Sequence, residues 1–331
     1  MYRTVSGPTD NLQARLGEAR MLLWLERHDE AAVKYHAIMK NHPENWHAHI
    51  ELARALNASG RHFNAVSAYA SAIADNAERA RDTRVERAIA LRWSGLEDSA
   101  LSTLGVAEGT DATALRNTLK RETASSIRGE YDTSRDSDHL DIHAVSLGWQ
   151  QHFNAGRLLD VSARDARIEQ NGRRIDGRHL LIKAGTRLGN VEQGLFWPAL
   201  TVGVRDYDGW QTAAWKLQGK WIPADFWRID LEARNDVIEN IQSINNKVTL
   251  NVFSASTDWR FAPRWSATLG GAVLRFDDDN QRTRVIGRVE HTLTSSQPRI
   301  IVGVEGMGFS NSDPAIARGY YNPERYREFK L

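Results

Sequence analysis

The apolar pattern changes period once along the chain, near residue 122. Before that point, small and apolar residues recur at helical spacing; after it, they alternate with polar ones. Residues 1–121 are therefore predicted as an all-α domain and residues 122–331 as an antiparallel β domain, a two-domain α+β chain. The helical part repeats. Ala31 and Ala65 are 34 residues apart, as are Tyr35 and Tyr69, and this is the tetratricopeptide period. Small residues stand where paired helices approach most closely, Ala19 with Ala31 and Ala53 with Ala65. Pro43 ends the first unit, because proline cannot continue a helix. A looser third unit is read from Ala88, Trp93, Gly95, Ala100 and Leu104. The concave side of such a solenoid takes protein or peptide.

In the β half, Trp227, Ile229, Leu231 and Ala233 face one way, and Arg228, Asp230, Glu232 and Arg234 the other. The stretches around Leu180, Trp215 and Val285 behave alike. A soluble sandwich also alternates, so a carbohydrate- or protein-binding scaffold with helical repeats and a β-sandwich is the competing expectation. Three features favour a transmembrane β-barrel. The strands run to about 9–13 residues, enough to cross a bilayer at a tilt. Trp210, Trp221, Trp227, Trp259 and Trp265 stand at strand ends, where an interfacial aromatic girdle needs them. Connections alternate in length, with short ones at Asn154–Gly156, Pro223–Asp225, Pro263–Arg264 and Ser295–Pro298. Longer ones fall at Thr133–Asp141, Glu169–Gly177, Asn235–Lys247 and Ser310–Asn322. The count is about eleven full strands and the start of another at Tyr326. Single-chain bacterial barrels have even strand numbers, so further strands are expected beyond Leu331.

Composition narrows the function. The net charge of +1 gives no general attraction for nucleic acid, and the absence of cysteine removes thiolate chemistry and disulfide scaffolds. No apolar run reaches the roughly 18 residues of a membrane-spanning helix, and Met1–Asn11 does not read as a secretory signal. No phosphate loop, zinc-helix motif or catalytic triad is spaced to work, so no catalytic residue, metal or cofactor is assigned. Asp277–Asp279 lacks the glycine and terminal glutamate of a calcium loop and reads as a turn. The polar strand face then carries what chemistry there is. Its basic members are Arg128, Arg164, Lys183, Arg187, Arg205, Lys216, Lys220, Arg228, Arg234, Arg284 and Arg288, and its acidic members Glu130, Asp160, Asp230, Glu232 and Glu290. They form cross-strand charge ladders, or a hydrated track for a sugar polymer. The basic excess suits a neutral or anionic polymer better than a cationic one. In the loops, Tyr207, Asp208, Tyr320 and Tyr321 are candidates for sugar contact.

Two stretches carry a family resemblance. Asp277-Asp278-Asp279-Asn280-Gln281-Arg282 and Gly319-Tyr320-Tyr321-Asn322-Pro323-Glu324 resemble segments of the exopolysaccharide export porins, in particular the poly-beta-1,6-N-acetyl-D-glucosamine (PgaA-like) export porins. The resemblance implies tetratricopeptide repeats in the periplasm followed by an outer-membrane β-barrel. It implies export of a biofilm exopolysaccharide through the barrel, contact with outer-membrane lipids, and docking of periplasmic secretion or modification proteins on the repeats.

Overall fold

A computed structural model describes residues 11–73, 76–294 and 300–330. The helices up to Ala124 form one compact unit, and the bulk of the chain from Ser125 forms a second.

The helical unit is a run of short hairpins: α1 (Leu12–Trp24), α2 (His28–Asn41), α3 (Trp46–Ala58), α4 (His62–Ile73), α5 (Ala77–Asp82), α6 (Arg84–Trp93), α7 (Glu97–Leu104) and α8 (Thr110–Glu122). Ala19, Ala31, Ala53 and Ala65 are fully buried, which lets the paired helices approach closely, and Tyr35 and Tyr69 fill equivalent interior places. The repeat also shows in the turns. In three hairpins the amide six residues into the turn closes back on the helix, from Arg27 to Leu22 O (2.9 Å), Arg61 to Leu56 O (2.8 Å) and Leu96 to Leu91 O (2.9 Å). The residue before each of these donors has positive φ, and these are Glu26 (56°), Gly60 (75°) and Gly95 (75°). Arg54 ties α3 to α6 with a two-pronged pair to Glu86 (3.0 and 2.8 Å), and the Tyr69 hydroxyl of α4 donates to the same carboxylate (3.0 Å). Burial, reinforced by that carboxylate, pushes the Tyr69 hydroxyl well above its ordinary pKa. Trp93, read as part of the third unit, is exposed rather than interior and lies against the ring of His62.

The second unit is one antiparallel sheet. Its strands are β1 (Ser126–Arg135), β2 (Leu140–Phe153), β3 (Arg157–Gln170), β4 (Arg173–Gly185), β5 (Leu188–Asn190), β6 (Gly194–Tyr207), β7 (Trp210–Ala224), β8 (Trp227–Val237), β9 (Thr249–Ala262), β10 (Trp265–Phe276), β11 (Gln281–Thr294), β12 (Ile300–Asn311) and β13 (Arg325–Lys330). All but β5, which pairs only with β6, follow one another in chain order across the ladder. Eleven are long, and β13 begins at Arg325, one residue before the predicted start. Among the described residues β1 and β13 are the two edges, so the barrel wall is incomplete.

The two faces of this sheet differ in kind. Leu180, Leu231, Leu269 and Val304 are 51, 49, 60 and 53% exposed, although each lies mid-strand. Among the described residues no second sheet covers them. A water-soluble sandwich buries this face, because an uncovered apolar patch of such size costs about 25 cal/mol per Å2 in water. Hydrocarbon is the solvent that fits it, and the continuous antiparallel ladder pairs the backbone of neighbouring strands between the edges.

Two expected long loops are in fact tight turns. Glu169–Gly177 runs as strand up to Gln170 and again from Arg173, joined by Asn171-Gly172 with both residues at positive φ (53 and 74°), a two-residue hairpin turn. Asp136–His139 joins β1 to β2 in four residues. Charged residues such as Glu169, Arg173 and Arg174 read as loop because the strands continue past their apolar band. The Ser295–Pro298 connection lies outside the described residues.

Two outcomes follow from these contacts. Glu26→Gly relieves a side chain held in the left-handed region and stabilises the helical unit by about 1 kcal/mol, while Gly60→Ala costs about as much, read as urea midpoints of the helical signal of the full chain. Leu231→Arg or Leu269→Arg lowers folding stability in lipid vesicles by about 2–4 kcal/mol, whereas a face wetted by water would tolerate either change.

Candidate functional site

The face opposite the apolar one is built by register. Asp160 stands opposite Lys183, Arg164 opposite His179, and His179 opposite Arg205. On the next pairs, Lys216 stands opposite Thr201 and Arg228 opposite Asp258. Arg284 and Arg288 continue it opposite Phe309 and Glu305. Fifteen of the sixteen predicted polar-face residues thus share one side of the sheet, Arg128, Glu130, Arg234 and Glu290 among them. Arg187 does not. It sits in the β4–β5 turn, where its side chain covers Gly156.

Most charges on this face are paired. Arg128 bonds Asp160 across the β1–β2–β3 ladder. Lys216 reaches Glu232 (2.8 Å), which Arg234 also holds, and Arg234 reaches Asp236 (3.0 Å). Arg228 meets Asp230 at 2.6 Å and Arg288 meets Glu290 at 3.6 Å. These ladders let a charged wall persist without large desolvation cost, since each ion keeps a partner and a wet side.

At one end this face is covered by chain. The β8–β9 connection carries a short helix, α9 (Ile241–Asn245), whose Ile241 and Ile244 are buried against Ile168, Ile175, Tyr207 and Val237, with Trp210 alongside. Glu239 of the same loop receives Arg164 in a two-pronged bond (2.7 and 3.0 Å) and the Tyr207 hydroxyl (3.0 Å). His179 bonds Tyr207 at 3.0 Å. Side chains from β3, β4 and β6 thus converge on the loop after β8. Burial opposes the charge on Glu239, but the Arg164 guanidinium more than offsets it and holds the carboxyl below its ordinary range.

Beside it, the two stretches that carry the family resemblance are bonded to each other. Asn280, 1% exposed, donates to Tyr320 Oη and Asn322 Oδ1 (both 3.0 Å) and accepts from the Ser312 hydroxyl and the Asp313 amide (both 3.0 Å). Tyr320 donates to Asp278 (3.0 Å) and stacks on Phe276 at 4.3 Å. Arg318 pairs with Asp277 at 3.0 Å.

A family model described as "PgaA membrane beta barrel domain" matches residues 191–330, a span that includes both stretches. This part of the chain is similar to that barrel family. A solved structure titled "Bacterial polysaccharide outer membrane secretin" aligns over 61% of this chain and 68% of its own, at 19% identity and a TM-score of 0.49. No curated protein matches.

Four of the five tryptophans predicted to form a girdle lie at the short-turn end of the sheet on its apolar face. Trp221 and Trp227 lie 6.4 Å apart, Trp227 is in register with Trp259, and Phe261 links Trp259 (5.5 Å) to Trp265 (6.3 Å). Trp210 is the correction. It stands opposite Tyr207 on the polar side and packs under α9, because the strand begins with a turn that points it inward. Tyr207 and Tyr320, offered for sugar contact, are 2 and 8% exposed and instead hold the loops down, while Tyr321 stays exposed and Asp208 forms the β6–β7 turn. The sequence reading missed Glu239, Trp197 and the α9 isoleucines. An Ile-x-x-Ile spacing inside a supposed loop was the available sign.

The loop contact is pH-sensitive in a definite direction. A depressed carboxyl pKa stabilises above the unfolded carboxylate pKa of about 4.3, and the contribution disappears as pH falls through the folded value. Amides of residues 239–248 are therefore expected to stay protected from hydrogen exchange at neutral pH and to lose protection below about pH 4. Glu239→Gln shows the loss at neutral pH as well.

Proposed function

We propose that the β unit of this chain carries an exopolysaccharide across the outer membrane, with the charged face from Arg128 to Glu290 lining the path. The girdle tryptophans Trp221, Trp227, Trp259 and Trp265 settle the wall in the membrane interface. The observation that carries this reading is the uncovered apolar face set back to back with a laddered charged face, within a membrane β-barrel family. Residues 1–121, as tetratricopeptide-type repeats, stay in the periplasm and dock secretion or modification partners, and residues 122–331 make the barrel. The polymer belongs to a biofilm matrix, and transport is passive, driven by synthesis behind it. The chain performs no catalysis in this reading: the conduit supplies hydration and hydrogen-bond exchange only.

The experiment is expression of the full chain, targeted to the outer membrane of a strain that makes the polymer but lacks its porin. Secreted polymer is measured alongside electrophoretic mobility before and after heating. Restored secretion, with a fast-migrating band that slows on boiling, is expected, since a barrel resists detergent until its ladder melts. Recovery of the chain in the aqueous fraction without detergent overturns the proposal.

A further inference from the structure

We propose that Arg275, Arg325 and Arg327, on the apolar face of the sheet at the end away from the girdle tryptophans, bind the phosphate groups of an outer-leaflet lipid headgroup. The inference goes beyond polymer transport and rests on one part of that reading, that the apolar face meets lipid with the β8–β9 and β12–β13 connections outside. Strand parity places all three on this face. Arg275 stands in register with Asn251 and Gln281, and its guanidinium lies 5.8 Å from the ring centroid of Phe253, an exposed member of the apolar face. Arg325 stands opposite Ser310 and Arg327 opposite Gly308, on the side of Val304. A Cβ added at Gly308 would meet Arg327 Cγ at 3.8 Å, as two residues of one face should. All three arginines are exposed.

Their charge sets them apart. Among the described residues of β9–β13, this face holds no other arginine or lysine and no aspartate or glutamate. None of the three arginines forms an ion pair among the described residues. On β1–β4 the arginines at the same end of this face are matched instead: Arg135 with Asp141, Arg174 with Asp176 (2.7 Å) and Arg178 with Asp165 (3.5 Å). A cation bordering hydrocarbon is costly unless an anion meets it. The opposite end of the face carries the linked rings of Trp259, Phe261 and Trp265, which suit an interface without adding charge. The two ends of one apolar face therefore ask for different headgroups, and the arginine end asks for an anion. The planar guanidinium fork matches phosphate oxygens in pairs. Three strand spacings, about 14 Å, separate β10 from β13, so Arg275 and the β13 pair can each take a phosphate from opposite ends of one disaccharide headgroup. Gln281, Thr283 and Ser310, exposed on the same face between them, offer hydrogen bonds to sugar hydroxyls. The occupant that fits is a doubly phosphorylated disaccharide lipid.

The test uses the full chain in micelles of an uncharged detergent, with bound lipid read by native mass spectrometry. The probes are diphosphorylated lipid A, the same lipid with both phosphates removed, and inorganic phosphate. The diphosphorylated lipid is expected to bind on the order of a hundredfold more tightly than the phosphate-free one, about fivefold for each arginine. Each single arginine-to-glutamine change is expected to weaken it about fivefold, and the triple variant Arg275→Gln, Arg325→Gln, Arg327→Gln to bring the two lipids within about threefold. Removing a matched pair at the same end, by Arg174→Gln with Asp176→Asn, is expected to leave the preference intact. Heat-modifiable mobility establishes that each variant is folded. Equal binding of the two lipids by the unaltered chain overturns the site, as does a preference that survives in the triple variant or vanishes in the matched-pair variant. Displacement of the lipid by an equimolar amount of inorganic phosphate overturns the headgroup assignment. If polymer secretion is restored while the lipid preference is absent, this site falls and the export reading stands. If the preference holds while secretion is not restored, the export reading falls alone.

Discussion

A sheet whose side chains face hydrocarbon on one side must satisfy its backbone entirely from its own strands. Every other feature of the β unit follows from that constraint. Water cannot reach the amides at membrane depth, so eleven of the strands are long and each pairs antiparallel with its neighbours. The same pairing places residues alternately on two faces, and the two solvents sort them. Leu180, Leu231 and Val304 fall on the apolar face, while Lys216, Glu232 and Arg234 fall on the charged one. A charge on the polar face is inexpensive where an opposite charge lies within reach, across the ladder as for Lys216 and Glu232 or two residues along the same strand as for Arg228 and Asp230, so the pairs are part of the wall.

The polar face is not uniform along its length. At one end it holds paired ions and a cavity floored by Trp197. At the other it turns apolar, where α9 seats Ile241 and Ile244 on Ile168, Ile175 and Tyr207. A loop anchored by one carboxylate and two isoleucines is the kind of element that opens at modest cost, because it draws on few contacts compared with the strands beneath it. The neighbouring clamp, Asn280 with Tyr320 and Asn322, is more demanding. Its polar atoms are buried and mutually satisfied, so removing one partner leaves several others unpaired. The two stretches that carry the resemblance thus complete each other.

Much of this was legible beforehand. The change of period near residue 122 separated helices from strands, and alternation placed fifteen of sixteen charged residues on one side, since a period of two leaves no freedom once the register is set. The burial of Ala19, Ala31, Ala53 and Ala65 followed from their spacing. What failed did so where strand identity and local polarity disagree. The β3–β4 hairpin extends beyond the membrane, so its polar tip imitated a loop although Asn171-Gly172 marks a tight turn. Arg187 carried the right charge at the right parity but fell in a turn.

By itself, then, the linear order of residues determined the local periods, the strand boundaries to within a few positions and the side on which each charge lies, because these depend on neighbours two to four residues away. Only the tertiary structure decided which of the polar residues are spent on pairing, that Trp210 and Tyr207 turn inward beneath α9, and that Asp277–Arg282 grips Gly319–Glu324. The contacts with α9 and between the two stretches join residues about thirty to forty positions apart. They depend on the order and register of the whole ladder, which no window of sequence contains.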